Sequence, residues 1–179
     1  MAFFEVISEN RLTPEARESF QTLKRRKQTD HLDRIYHVLA AHPKLLGAFV
    51  QALEGFTPVP SRLGSCQFIA GMLIAHSKHC RACFEATRDT LFKLGLDDST
   101  LDGMCAAPET LPLTERERKI VEFTLRVARG PEALKLDDFS GMERAGFTKD
   151  EILEMIGIAA YWNMAVTLST AVDAGLHDE

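Results

Sequence analysis

The chain lacks a long apolar run, an excess of positive charge and any strand-like alternation, and each absence removes a class of protein. No window approaches 18 uninterrupted apolar residues, the length a bilayer-crossing helix requires. The opening "MAFFEVISEN" also lacks the basic segment and apolar run of an export signal. A cytoplasmic protein with no membrane partner is expected. The net charge of -5 argues against nucleic acid, and the one basic run, Lys24-Arg25-Arg26-Lys27, reads as the end of a helix, where cations meet the negative end of the dipole. Cysteines number only four, and in a reducing compartment they do not form a structural disulfide framework. Neither strand alternation nor a repeat of 20 to 50 residues is present, which sets aside sheets, solenoids and propellers.

What remains is helical periodicity in a chain of 179 residues, 45% hydrophobic and 26% charged, the size and composition of one globular domain spanning residues 1 to 179. Leu32, Ile35, Tyr36, Leu39 and Ala40 form one stripe at i, i+3, i+4, i+7 and i+8, with Asp30 in the N-cap position. Leu45, Leu46, Phe49, Val50 and Leu53 form the next, between Pro43 and Gly55. Thr57-Pro58-Val59-Pro60 then interrupts the chain. Cys66, Ile69, Ala70, Leu73 and Ile74 make a third stripe, and Phe68, Gly71 and Met72 leave that helix no clearly polar face, so it belongs at the centre. Thr114 with Glu117 and Thr148 with Glu151 are two capping boxes. Gly130-Pro131 ends the helix opened by the first box, and Phe147 is placed to staple onto Ile152 after the second. Ile152, Met155, Ile156, Ala159 and Val166 stripe the last helix. The expected fold is all-α.

The stretch "AHSKHCRACFEATRDTLFKLG", residues 75 to 95, carries the chemistry, because it packs two histidines and two cysteines into eight positions. Residues three apart on a helix have Cα atoms about 5 Å apart, inside the range a disulfide tolerates. Cys80 and Cys83 can therefore pair without unfolding anything. The thiolate is the reactive form, and unsatisfied N–H groups at a helix start favour it. With Ser77 as N-cap, Cys80 takes the third helical position and is the more activated thiol. On a continuous helix His79 lies one turn below Cys83, and His76 one turn below Cys80. Either imidazole can take a thiol proton or return one to a leaving oxygen, and His79 keeps its place in both helix registers.

Two other readings of these side chains stay open. Two histidines and two thiolates match zinc's ligand count, but four ligands splaying outward from one short helix converge poorly, and structural zinc sites draw on separate segments. An inert pair on a buried face is the other. Cys66 and Cys105 have no such neighbours and read as small buried hydrophobes. Tyr161 and Trp162 read as core, Asn163 as a buried amide that must find partners, and His31, His37 and His42 as residues without chemistry.

A central apolar helix, a polar turn, Cys-x-x-Cys opening the next helix and Lys93-Leu94-Gly95 closing it together resemble the alkylhydroperoxidase D-like (AhpD-like) proteins of the carboxymuconolactone decarboxylase superfamily. "VLAAHPKLLGAF" at 38 to 49 is similar to that family's preceding helix pair. "LTERERKIVEFTLRVARGPEAL" and "AGFTKDEILEMIGIAAYWNMA" are similar to its carboxy-terminal half, so the resemblance covers most of the chain, with the Cys-x-x-Cys core at about 62 to 95. It implies a helical subunit assembling into trimers or hexamers, and thiol-dependent reduction of hydroperoxides; no cofactor or metal is expected. Carried over, Cys83 attacks the peroxide and becomes a sulfenic acid. Cys80 then resolves it as a disulfide, and an external dithiol or lipoyl-type carrier restores the pair.

The sequence departs from the family pattern at the proton relay. Thr87 stands where the family places a histidine four residues after the second cysteine, and Gln67 and Phe68 stand where it places a glutamate. Arg81 and Ala82 occupy the space between the cysteines, where some members have a histidine. Either His79 or His76 has taken over proton transfer, with Arg81 lowering a thiol pKa by its charge, or the scaffold is a weakened catalyst serving as redox sensor, thiol-disulfide exchanger or binding protein. The decarboxylase branch has no use for the retained Cys80 and Cys83.

Overall fold

The computed structural model describes residues 3 to 106 and 112 to 174, and among these every regular element is helical. Nine α-helices follow in order: α1 (Pro14–Lys27), α2 (Arg34–Leu39), α3 (Pro43–Phe56), α4 (Cys66–Ser77), α5 (Arg81–Lys93), α6 (Asp98–Ala106), α7 (Glu115–Arg129), α8 (Leu136–Arg144) and α9 (Lys149–Ala174). Short 3-10 turns lie at Glu9–Arg11 and Pro131–Ala133. The chain divides into two compact units, residues 1 to 55 with 167 to 179, and residues 56 to 166.

In the first unit, Thr13 caps α1 by accepting from the Ala16 N–H, Pro14 opens the helix, and the basic run 24 to 27 closes it, as the dipole favours. The N-cap of α2 is Asp33 rather than Asp30, so Leu32 lies ahead of the helix. Leu46, Phe49 and Val50 turn inward from α3, while Leu45 stays exposed. Tyr36 meets Phe49 edge to face with centroids 6.1 Å apart, and Val38 clusters with Val172 from the end of α9. His37 also has a structural task. Its backbone oxygen accepts from the Ile7 N–H at 3.0 Å, and its Nδ1 donates to the Ile7 carbonyl at 2.8 Å.

The second unit is built around α4, which packs against α5, α6 and α7. Nine of its residues are buried on all sides, as its lack of a polar face required. Gly71 lets another side chain approach closely. A Cβ there would fall well inside van der Waals contact with the indole of Trp162, whose Nε1 donates to the Gln67 carbonyl at 3.2 Å. Both capping boxes form. Thr114 and Glu117 exchange bonds at the start of α7, and Thr148 and Glu151 do the same before α9. The Thr148 N–H holds the Glu151 carboxyl below its ordinary pKa, helped by Arg116 from α7 at 2.5 Å. In α9, Met155, Ile158 and Ala159 are wholly buried. By length and hydropathy α9 could cross a bilayer, but half of its most apolar window is packed inside the protein, as for a core helix.

Candidate active site

The cysteine segment is a tight turn between two helices rather than one continuous helix. Helix α4 runs on to Ser77, whose hydroxyl donates back to the Ile74 carbonyl at 2.9 Å. Ser77 is therefore the last residue of α4 and not the N-cap of α5. His79 adopts the left-handed conformation, with φ of 57°, and the Cys80 N–H reaches back to the Ala75 carbonyl at 2.9 Å. That bond is of the six-to-one kind that closes a helix through a left-handed residue, usually glycine. No glycine marks the stop in the sequence, so the break escapes a pattern-based reading.

Helix α5 starts afresh with Cys80 as its N-cap, at φ −84° and ψ 91°, and the Cys80 carbonyl accepts the first helical bond from the Phe84 N–H at 2.9 Å. Cys83 is thus the third helical residue, the position expected for Cys80 from the sequence. Cys80 as N-cap and Cys83 in the first turn both stand at the helix end whose backbone N–H groups, lacking intrahelical acceptors, favour an anion. The placement moves the helix-terminus argument from Cys80 to Cys83. Both residues are buried, 4% and 7% exposed, and both are thiols.

The histidines end on the rim of this turn. His76, in the last turn of α4, is exposed and leans on Phe84 of α5 with ring centroids 5.7 Å apart at 48°. His79 is exposed in the turn itself, so the stacking of each imidazole beneath a cysteine, which needed a continuous helix, does not hold. Arg81 points out to solvent, 88% exposed, and pairs with Glu85 at 3.4 Å. Its charge is partly answered there, in the first turn of the helix that Cys80 caps.

Thr87, Gln67 and Phe68, which stand where the resembled family would place a proton relay, are otherwise engaged. Thr87 is buried one turn beyond Cys83, and its hydroxyl donates to the Cys83 carbonyl at 2.8 Å and also lies 2.9 Å from the Phe84 carbonyl. Its one proton is committed to backbone. Gln67 is buried with Nε2 donating to the Pro58 carbonyl at 3.2 Å, and its Oε1 has no hydrogen-bond partner among the described residues. Phe68 is half-buried and apolar.

The remaining cysteines stand apart. Burial pushes the Cys66 thiol up to about 12, with the Glu117 charge adding to it, and its Sγ lies 4.0 Å from the Glu117 carbonyl. The Cys105 thiol is also raised, by burial and then by Asp102. No group of three or more His, Cys, Asp or Glu side chains is placed to hold a metal ion among the described residues. Asn163 finds its partner in the Ala128 carbonyl, to which Nδ2 donates at 2.9 Å.

Neither a family model nor a curated protein matches this sequence. Solved structures do. A protein of Ralstonia eutropha, described as an alkylhydroperoxidase AhpD core and an uncharacterized peroxidase-related protein, superposes with a TM-score of 0.84 over 99% of this chain and 93% of its own, at 15% identity. An uncharacterized peroxidase-related protein of a Silicibacter species gives a TM-score of 0.78 over 96% of this chain and 90% of its own, at 16% identity. This chain has an AhpD-like fold. At these identities the likeness establishes the AhpD-like architecture and leaves the chemistry to the residues. Within that architecture, the helical hairpin of α4 and α5 presents Cys80 and Cys83 at its turn.

Proposed function

We propose that the chain is a thiol-dependent peroxidase that cycles a dithiol and a disulfide between Cys80 and Cys83. One observation carries the reading: two buried thiols three residues apart stand at the start of one helix, Cys80 as its N-cap and Cys83 in its first turn. The peroxidase-related description of the two solved structures points to the same class.

The thiolate of Cys83 attacks the outer oxygen of a hydroperoxide, the O–O bond breaks, and the alkoxide leaves as an alcohol after taking a proton. Cys83 is now a sulfenic acid. The Cys80 thiolate attacks that sulfur and expels hydroxide, which takes a proton and departs as water. Two thiols have lost two protons and two electrons, and the peroxide has become an alcohol and water. A small external dithiol, of the lipoyl kind or similar, returns the pair to thiols by exchange. His79, and after it His76, supplies and removes protons from the rim, since Thr87 has no basic group to offer. We also propose a homo-oligomer, trimer or hexamer, in which exposed Phe92, Leu94 and Leu153 meet other copies. Light scattering at the 20.0 kDa chain mass would contradict it.

The test is turnover of an organic hydroperoxide with a dithiol in excess. Activity should fall at least about a hundredfold in both Cys80→Ser and Cys83→Ser, with a sulfenic acid trapped in the Cys80→Ser protein alone. Trapping only in Cys83→Ser would exchange the two roles, and full activity in both variants would end the proposal. A second reading, a redox sensor or slow thiol-disulfide exchanger, draws on Thr87, whose hydroxyl is tied to backbone where a relay would need a base. Clean disulfide formation without multiple turnovers would favour it.

A further inference from the structure

We propose that the oxidising substrate is anionic: an organic hydroperoxide that carries a carboxylate, held at the rim by Lys78 and Arg81 while its peroxide end reaches the cysteines. The inference rests on the peroxidase reading and adds the substrate class.

Charge is distributed unevenly along this chain. It holds 26 acidic residues, yet none falls between Gly55 and Phe84, a stretch that includes all of α4, the turn and both cysteines. Within it Arg62 pairs with Asp150 at 3.1 Å and lies outside the turn at 76 to 82, so Lys78 and Arg81 are the cations beside the cysteines. Lys78 has no ion pair among the described residues, and Arg81 has only the exposed, 3.4 Å contact with Glu85, a kind of pair that binds weakly in water. The imidazoles of His76 and His79, both exposed, add hydrogen-bond donors to the same rim. An acidic protein of net charge -5 repels anions in general, so two exposed cations flanking Cys80 in sequence, with no acidic residue between 55 and 84, are where an anion gains.

Burial selects the shape. Cys80 and Cys83 are 4% and 7% exposed, among exposed residues 76 to 79, 81 and 82. A bulky folded partner cannot bring a reactive group that deep without unfolding the turn. A slender chain with charge at one end and peroxide toward the other can, because the long stems of Lys78 and Arg81 let their charges follow it. The chemistry is that given above: the carboxylate is a handle, unchanged, and only the O–O bond is broken.

The experiment follows the oxidising half-reaction alone, with reduced protein, no dithiol, and a medium-chain fatty-acid hydroperoxide compared with its methyl ester, both below the concentration at which they aggregate. The readout is the ratio of the two rates of Cys80–Cys83 disulfide formation. At low ionic strength the acid should react about five- to tenfold faster than the ester, as two cations within a Debye length of one anion give. The ratio should fall to near one in the Lys78→Gln/Arg81→Gln double variant or at about 0.5 M salt, where screening is severe. It should rise in Glu85→Gln, which frees Arg81. A merely structural role for these residues would not move the ratio in opposite directions. Equal rates for acid and ester, or a preference that survives the double variant, would overturn the inference and leave the peroxidase standing. Failure of both hydroperoxides, with the pair still closed by a general disulfide-forming oxidant, would remove the peroxidase reading and this inference with it.

Discussion

His79 holds a backbone conformation that costs an L-residue about 1–2 kcal/mol, at a position where helices ordinarily place glycine. Replacing it separates shape from chemistry. His79→Gly relieves the strain but gains freedom in the unfolded chain, so urea unfolding should show it more stable by about 0.5–1 kcal/mol. If the imidazole moves protons, the same variant should form its disulfide more slowly, several-fold at neutral pH. A variant both stabler and undiminished in rate would remove His79 from the mechanism. Cys66 gives a residue-scale expectation in pH. Its thiol is raised from 9.0 to about 12 by burial, so between those values the unfolded chain has lost a proton that the folded chain keeps. The contribution is fully present below pH 9 and is lost as pH rises toward 12, at up to about 1.4 kcal/mol per pH unit. Thermal melts of Cys66→Ala should therefore show a shallower alkaline decline than those of the parent. Identical alkaline slopes would contradict the buried, protonated thiol.

At the scale of elements, α4 depends on the absence of a side chain at Gly71, because the Trp162 ring fills that space. Gly71→Ala should destabilise by about 1–3 kcal/mol through overpacking, despite alanine's better helix propensity. Gly103, in α6, has open space where a methyl group would stand, with nothing within 4 Å, so Gly103→Ala should instead stabilise by about 0.5–1 kcal/mol. Equal shifts in denaturation midpoint for both would mean that the indole does not press on α4. The elements were largely legible in sequence, and for physical reasons. The two capping boxes, Pro43 at the start of α3 and Gly130-Pro131 after α7 are local signals, and each fell where the pattern put it. The α4–α5 break was not legible, because it is made by a histidine in glycine's conformation and by a cysteine as N-cap, residue types that no capping preference would select. That one miss displaced the helix start by three residues and reversed which cysteine stands at the third helical position.

At the scale of the whole molecule, the all-α, AhpD-like fold could be read from periodicity and a few motifs even though solved relatives of this architecture share about one residue in six with it. Helical packing tolerates wholesale exchange of apolar side chains if pattern and volume are kept, so the fold outlasts sequence similarity. A site has no such tolerance. Thr87, Gln67 and Phe68 stand where the sequence resemblance would place a relay, and Thr87 and Gln67 are bonded to backbone carbonyls while Phe68 is apolar and half-buried. On the proposed reading the chemistry falls to the four residues of the turn and its edges, His76, His79, Cys80 and Cys83. Their use is decided most directly by time-resolved intact mass and peptide mapping of the reduced protein after one equivalent of organic hydroperoxide. A working dithiol gives rapid loss of two hydrogens, confined to the peptide bearing Cys80 and Cys83, before Cys66 or Cys105 changes. If the pair stays reduced, or oxidises no faster than those two cysteines, the peroxidatic dithiol is contradicted.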